Sequence, residues 1–413
     1  MTFKVTDMVF DKSSKQYLCR GCGENNHLKS PPNSETRCSC GRKLGLLVGD
    51  SPYFLLKRLG DGGFGSVYQA HREQDTKSSY AVKIFKKGKI KLDCLQDSLN
   101  KEIEGLKTLQ KFKNVNVRVP KYIAHSFPAS ESEGDFVIVL EFIDGDNLLQ
   151  ELERRKEHKT DGNLIIFKEE EIIILLIDLL ETIDIIHTVG KILHRDIKPQ
   201  NIVRRTSDKK LYLVDFGSSK VLNDNAEYTE VVFQTPAYAP PERSKDVDKG
   251  KAGLSEFVNQ ENLERYKHTR DLYSLAITIA YLITGESCNT NRKDPFPNED
   301  WEKWMRDVCK KAPKLGIILK RMLSFYPSDR YQSALEVLLI VRTIAWKIHQ
   351  GDEWLIKGWL LGRGKAHKQF KGTNDFLIES SVQDFLKASQ EHKTRQDQKI
   401  IEDLLKKNQP QNK

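Results

Sequence analysis

The stretch His194-Arg195-Asp196-Ile197-Lys198-Pro199-Gln200-Asn201, followed by Asp215-Phe216-Gly217, constrains the fold of this chain more than any other feature. Its polar residues make chemical sense only if a loop gathers them around one point. An aspartate such as Asp196 can orient a hydroxyl and accept its proton. The Lys198 ammonium can neutralise a phosphoryl group in transfer. Asn201 and Asp215 offer oxygens that hold divalent metal ions against phosphate. A fold built on this stretch must also supply a cradle for phosphates and a second cation.

The chain supplies both upstream, in order. Tyr53-Phe54-Leu55-Leu56-Lys57-Arg58-Leu59 reads as a strand running into Gly60-Asp61-Gly62-Gly63-Phe64-Gly65-Ser66-Val67, a G-x-G-x-x-G-x-V pattern. Alternating Val67-Tyr68-Gln69-Ala70 follows, so the glycines join two strands. The dinucleotide-binding fingerprint would instead enter a helix there. Glycines 60, 62 and 65 let backbone approach phosphates without a Cβ clash, and Phe64 stands at the tip. In Ser79–Phe85 the period of two puts Ala81 and Lys83 on one face. Lys83 needs a carboxylate on a helix, and Leu99–Phe112 offers Glu102 and Glu104. Glu102 is chosen because its i+4 neighbour is apolar Leu106, whereas Glu104 has Thr108. Phe136–Leu140 is an apolar strand ahead of Glu141-Phe142-Ile143-Asp144-Gly145. Val115 to Asp135 should hold two strands or turns. Glu169–Val189 reads as a central buried helix.

Together these residues resemble the eukaryotic-type protein kinase family, in its Ser/Thr branch, from Tyr53 to Ile344. The resemblance implies an α+β, bilobal fold: a β-rich N-lobe (53–140), a hinge (141–145) and a helical C-lobe (146–345). It implies ATP and Mg2+ (or Mn2+) as cofactors and proteins as substrates. Asp196 would be the base or hydroxyl-orienting group, and Lys198 would stabilise the transferred group and mark Ser/Thr specificity. Lys83, paired with Glu102, would hold the α- and β-phosphates. Asn201 and Asp215 would ligate the metal. Gly60, Asp61, Gly62, Gly63, Phe64, Gly65, Ser66 and Val67 would form the nucleotide lid. Ala81 and Val203 would flank the adenine, Leu140 would be the gatekeeper, and backbone near Glu141 and Ile143 would read the adenine edge. Thr235 would bridge to Asp196 and Lys198. Glu242, in Pro240-Pro241-Glu242, should pair with Arg330. Residues 243–270 are longer than the family needs and should form an exposed insertion. The alternative from another class is a pseudokinase-like scaffold. Loss of Lys83, Asp196 or Asp215 would favour it, and all three are present.

Ahead of this region, after a leader (1–14), lies a segment (15–48) with four of the seven cysteines, in Cys19-Arg20-Gly21-Cys22 and Cys38-Ser39-Cys40-Gly41. Four thiolates from two tight turns can surround a tetrahedral zinc ion. Gly23 and Gly41 permit the positive φ that aims backbone N–H groups at sulfur. The second pair is Cys-x-Cys where Cys-x-x-Cys is usual, and a redox-active or merely reduced thiol cluster is the other reading. The polar stretch Gly23 to Arg37 favours turns, and His27 is read as a solvated loop residue in preference to a substitute ligand. So short and polar a segment needs a staple to fold. A zinc-ribbon-like leader before a Ser/Thr kinase resembles bacterial, particularly cyanobacterial, kinases.

The formal charge of +9 is spread along the chain, as on an ordinary solvated surface. The third reading, a nucleic-acid-binding regulator, lacks a stacking platform, since Tyr17 is the only aromatic in the four-cysteine segment. Met1–Phe10 has no apolar core, and the apolar runs Ile172–Leu180 and Leu272–Ile283 are too short to span a membrane. The expected location is cytoplasmic. In the tail (346–413), Val382, Phe385 and Leu386, then Ile400, Ile401, Leu404 and Leu405, recur at helical spacing, which favours packing or self-association. Acids at Glu141 to Asp146 and Glu151 to Glu153 point to substrates with basic flanks.

Arg195 places a fixed cation beside Asp196, and such a cation can order a neighbouring loop by pairing with phosphate. Phosphorylation of Thr229, Tyr228 or Ser219 should therefore raise activity. A Thr229→Ala chain that stays fully active, with no phosphate on the segment by mass spectrometry, would refute this.

Overall fold

The computed structural model describes residues 15–20, 22–28, 32–61, 65–73, 75–85, 92–111, 117–128, 135–157, 166–216, 220–221, 237–243, 266–288 and 298–348. The chain divides into two compact units, Met1–Glu151 with Ile185–Ala239, and Leu152–Asp184 with Pro240–Lys413. The Gly-rich strands and the His194–Asn201 stretch thus fall in one unit.

That unit is built on a six-stranded antiparallel sheet. Its strands are β3 (Gly45–Val48), β4 (Ser51–Asp61), β5 (Gly65–Arg72), β6 (Asp75–Phe85), β7 (Tyr122–Ser126) and β8 (Val137–Glu141). They lie in the order β3-β4-β5-β6-β8-β7, and the edge strand β3 also comes against the other edge, β7. The sheet is therefore strongly curled, as right-handed strand twist favours. One face buries Val48, Tyr53, Leu55, Ala70, Val82, Ile84, Val137 and Val139 in a single apolar core. Register puts Val67 opposite Lys83 and Lys83 opposite Ile138, with Ala81 opposite Leu140. Directly opposed residues share a face, so Val67, Ala81, Lys83 and Leu140 lie together on the side away from that core.

Helix α1 (Leu92–Lys111) buries Leu99, Glu102, Ile103, Leu106 and Leu109, while Glu104 is exposed. This spacing is one helical face. The helix starts ahead of the expected Leu99, because Asp93 and Gln96 weaken its apolar period. Between residues 115 and 135 the described residues hold one strand, β7. A two-stranded hairpin, β1 (Lys15–Leu18) with β2 (Asn25–Leu28), begins the four-cysteine segment, so Asn25 and Asn26 are paired strand residues and not turns. Downstream, β9 (Gly145–Asn147), β11 (Ile202–Arg205) and β12 (Leu211–Leu213) make a three-stranded sheet in the order β12-β11-β9. The short β10 (Ile192–Leu193) pairs with β13 (Lys220–Val221).

The second unit is helical. It holds most of α2 (Leu148–Glu157) and of α3 (Glu169–Thr188), and α4 (His268–Thr284), α5 (Glu299–Lys311), α6 (Pro313–Met322) and α7 (Ala334–Ile348). The Glu169 carboxylate accepts from the Lys314 and Leu315 N–H groups at 2.7 and 2.9 Å, capping α6. Asn298 caps α5 by accepting from the Trp301 N–H at 2.9 Å, and Trp301 and Trp304 are both buried. Among the described residues no helix is long and apolar enough to cross a membrane. The tail 349–413 and most of the insertion 243–270 lie outside the described residues.

The expected Glu242–Arg330 pair is formed. Arg330 Nη1 and Nη2 each donate to a Glu242 carboxylate oxygen at 2.8 Å, and both side chains are almost wholly buried. The guanidinium also donates to the Ser324 and Phe325 carbonyls at 2.8 and 3.0 Å and lies over the Tyr273 ring. Removing one partner strands a buried charge. Glu242→Ala should therefore lower stability by ~3–5 kcal/mol in urea unfolding. Glu302→Ala, which breaks an exposed pair with Arg306, should cost at most ~1 kcal/mol.

Candidate active site

The loop between β10 and β11 carries the central residues, and two of its supports are backbone strains. Arg195 has φ 69 and Asp215 has φ 65, both left-handed. Such a conformation costs a non-glycine residue about 1–2 kcal/mol, so surrounding contacts must hold it. His194 is one of these. Its fully buried ring accepts at Nδ1 from the Asp196 N–H (3.3 Å) and sits with Nε2 3.0 Å from the Val214 carbonyl. A backbone N–H can only donate and a carbonyl only accept, so the ring is the neutral tautomer with its proton on Nε2. The ring meets Phe216 edge-on at 4.7 Å. His194 thus ties the Asp196 backbone to that of Val214, just before Asp215, and packs on the side chain just after it. Residue type gave it no role, because both hydrogen-bond partners are main-chain atoms.

Asp196 lies at the centre of a closed network. Its Oδ2 accepts from Lys198 Nζ at 2.7 Å and from Asn201 Nδ2 at 3.0 Å. The same Asn201 amide donates to the Asp196 carbonyl at 2.8 Å, which leaves Asn201 Oδ1 as its acceptor. A 3-10 turn, Pro199–Asn201, sets this geometry, and the Asn201 carbonyl takes the Val214 N–H at 2.9 Å.

The second cation arrives from the sheet. Lys83, buried on β6, forms a direct ion pair with Asp215. Among the described residues its ammonium bonds Asp215 and not Glu102. Burial pulls the lysine down, but the charges of Asp215 and Glu102 outweigh this and leave it above its ordinary value. Burial likewise opposes ionisation of Asp215, yet Lys83 holds its carboxyl down at about 2. Glu102 has the opposite fate. It is buried on α1, and desolvation raises its carboxyl to about 7 against the pull of Lys83.

At the Gly-rich turn the structure describes Gly60, Asp61, Gly65, Ser66 and Val67, whereas Gly62, Gly63 and Phe64 lie outside the described residues. A Cβ on Gly65 would fall 2.1 Å from the Ile84 carbonyl oxygen, so only glycine lets β5 approach β6 there. Arg58 pairs with Asp61 at 2.6 Å and donates to Ser66 Oγ at 2.9 Å, and that hydroxyl donates to Asp61. This clamp across the mouth of the turn was not read from the sequence, although Arg58 and Asp61 stand at i,i+3. Val203 is half-buried on β11, and Ile143 is buried. The Glu141 N–H is taken by the Lys121 carbonyl. Thr235, Gly217, Thr229, Tyr228 and Ser219 lie outside the described residues. The acids near this region are paired within the chain: Glu141 with Arg205, Glu151 with Arg204, Glu153 with Lys156. The sequence argument for basic substrate flanks therefore loses much of its footing.

The four clustered cysteines converge. Their sulfurs all lie within 4.8 Å of one another, with Cys19 to Cys40 at 3.6 Å and Cys22 to Cys38 at 3.5 Å. Zinc–sulfur bonds of ~2.3 Å in a tetrahedron require sulfurs ~3.8 Å apart, whereas a disulfide needs ~2 Å. The donor set fits zinc. Gly23 and Gly41 take φ 78 and 84, and each donates its N–H at 2.8 Å to the first cysteine carbonyl of its turn. The Cys-x-Cys spacing gives the same turn one residue shorter. The Cys40 backbone and the Ser39 hydroxyl lower the Cys38 thiol to about 6. A backbone bond at Glu24 favours the Cys22 thiolate, but burial and hydrogen bonds with Cys38, Cys19 and Cys40 push that thiol up to about 12.

The protein kinase domain model matches residues 53–339. Serine/threonine-protein kinase PknA of Nostoc sp. is 28% identical over 301 residues, covering 70% of this chain and 46% of that protein. Serine/threonine-protein kinase F of Synechocystis sp. is 31% identical over 341 residues, covering 78% and 62%. Among solved structures, the Mycobacterium tuberculosis PknI kinase domain aligns at TM-score 0.47 and 19% identity, covering 73% of this chain and 99% of that one. The chain spans about half the length of the first curated relatives it matches.

Because the Glu102 carboxyl is raised from 4.5 to about 7, its contribution to stability is complete below about pH 4.5 and is lost as pH rises through 7. Asp215, lowered from 3.8 to about 2, has the opposite sign: its contribution is present above pH 3.8 and lost as pH falls through 2. Glu102→Gln should therefore match wild type near about pH 5 and exceed it above pH 7, by up to about 3 kcal/mol in thermal unfolding. Equal differences at both pH values would contradict this.

Proposed function

The chain belongs to the protein kinase family, and on that premise we propose that it transfers the γ-phosphoryl group of ATP to Ser and Thr hydroxyls of proteins. The observation that carries this reading is the joining of two networks in one unit: Lys83 with Asp215, and Asp196 with Lys198 and Asn201. One cation of each network is placed to serve phosphate, and each is held by a carboxylate until phosphate arrives.

In this reading Lys83 exchanges part of its bond with Asp215 for the α- and β-phosphates. Asp215, ionised at neutral pH, and the acceptor Oδ1 of Asn201 would hold Mg2+ or Mn2+. When bound, that ion supplies charge neutralisation for the triphosphate. Asp196 orients the substrate hydroxyl and takes its proton. Lys198 follows the phosphoryl group as charge builds on it, and positioning plus electrostatics supply the acceleration. Glu102 completes the Lys83 site once its carboxyl is ionised. Ala81, Leu140 and Val203 form the apolar walls for adenine, with its edge read by the Glu141 carbonyl and the Ile143 backbone. The cofactor-side turn is Gly60 to Val67, and Thr235 steadies Asp196 and Lys198.

The four cysteines, Cys19, Cys22, Cys38 and Cys40, would hold a structural zinc ion. The proposed organisation is a four-cysteine module at 15–48, a kinase domain at 53–345 and a tail at 346–413 whose apolar spacing suits self-association. The proposed location is cytoplasmic.

Asp196→Asn keeps the hydrogen-bonding shape but removes the proton acceptor. It should lower phosphate transfer from labelled ATP to a generic Ser/Thr substrate by ~10²–10⁴-fold, while ATP still binds. A wild-type chain that transfers no phosphate, to itself or to that substrate, even after incubation with an activating kinase, would overturn the reading.

A further inference from the structure

We infer that the four-cysteine centre is a working part of the nucleotide-binding sheet: its metal holds β4 in the position from which the Gly-rich turn binds ATP. This rests on the zinc and kinase readings above.

Strand β4 serves two cores at once. Tyr53 and Leu55 face the core of the six-stranded sheet. Phe54, between them, faces the other way into a cluster with Tyr17, Cys19, Cys38 and Leu44. Its ring meets that of Tyr17 edge-on at 6.2 Å. Two of the four candidate metal ligands are thus core residues packed against a strand of the nucleotide sheet. The chain leaving the second cysteine turn then becomes β3, whose Gly45 to Val48 pair with Phe54 back to Ser51. The four-cysteine segment therefore supplies the edge strand that covers β4. Two polar ties reach other strands. The Ser34 N–H donates to Glu73 at the β5–β6 turn at 2.9 Å, and Arg20 pairs with Asp135 just ahead of β8.

At its far end the same β4 becomes Gly60 and Asp61, with Asp61 clamped to Ser66 on β5. Both ends of the strand pair with β5, in a ladder that shifts register between Leu55 and Lys57 and between Arg58 and Gly60. Without metal, the two cysteine turns are closed by few backbone bonds, and the segment has too little apolar surface to hold itself together. Its opening would expose Phe54 and leave β4 as an unprotected edge. The fraction of chains with a competent Gly-rich turn would fall, and apparent nucleotide affinity falls with that fraction.

The burial pattern provides a clean test. Cys22 and Cys40 are exposed, whereas Cys19 and Cys38 are buried in the cluster. Cys40→Ser therefore removes a ligand without emptying the core. Full-length chain would be zinc-loaded, its zinc counted by mass spectrometry, and titrated calorimetrically with ATP and Mg2+. Chelator-stripped wild type and Cys40→Ser should bind ATP about tenfold more weakly than the loaded protein. Added zinc should restore the stripped wild type and not the variant. Amide exchange across residues 51–61 should rise in parallel. If zinc is bound and its removal shifts neither affinity nor exchange by more than about twofold, the inference fails and the zinc reading stands. If no zinc is retained, both fail. If loaded protein binds zinc but not ATP, the kinase reading fails and takes the inference with it.

Discussion

The ion pair between Lys83 and Asp215 is the interaction on which the rest of the site depends. The Lys83 ammonium is taken largely out of water, at a cost it could not bear without a partner, whereas the Asp215 side chain stays 37% exposed. Their pairing fixes β6 of the sheet against the loop that follows β12. It also keeps Asp215 ionised and Lys83 protonated over the whole physiological range. Those are the states that metal and phosphate would need. Glu102, close enough to feel both charges but bonded to neither, is left with a carboxyl near 7. Burial, more than that pair, sets the charge of this third residue.

The main chain is held in unfavourable conformations at Asp215 itself and at Arg195, beside Asp196. The left-handed turns at Arg195 and Asp215 store strain that His194 helps to hold, by bonding to backbone at both its nitrogens. A histidine with one acceptor and one donor nitrogen does this where a doubly protonated ring could not. At the opposite end of the same sheet, Phe54 packs on two cysteines, so the four-sulfur cluster and the Gly-rich turn share one strand.

Much of this was legible in the sequence. The period of two in Ser79–Phe85 placed Ala81 and Lys83 on one face, and the register bears that geometry out. The i+4 argument chose Glu102 over Glu104, and Glu102 is the one that is buried. Gly23 and Gly41 were expected at positive φ and are found there. Glu242 was expected to meet Arg330 and does so. The first three follow from local periodicity or backbone stereochemistry, and the last from the resemblance to the kinase family. The start of α1 and the β1–β2 hairpin were not legible, because polar residues there hide the period and packing decides the outcome.

The sequence by itself determined which groups are candidates to handle phosphate and metal, and in what order they occur, since those depend on residue type and spacing. Tertiary structure alone decided that Lys83 bonds Asp215 and not Glu102. It also decided that His194 is neutral with its proton on Nε2, that Arg58 clamps the Gly-rich turn, and that the four-cysteine segment donates an edge strand to the sheet. The physical reason is common to all four. Each rests on which atoms the folded chain brings together, several of them backbone atoms, which no residue letter encodes.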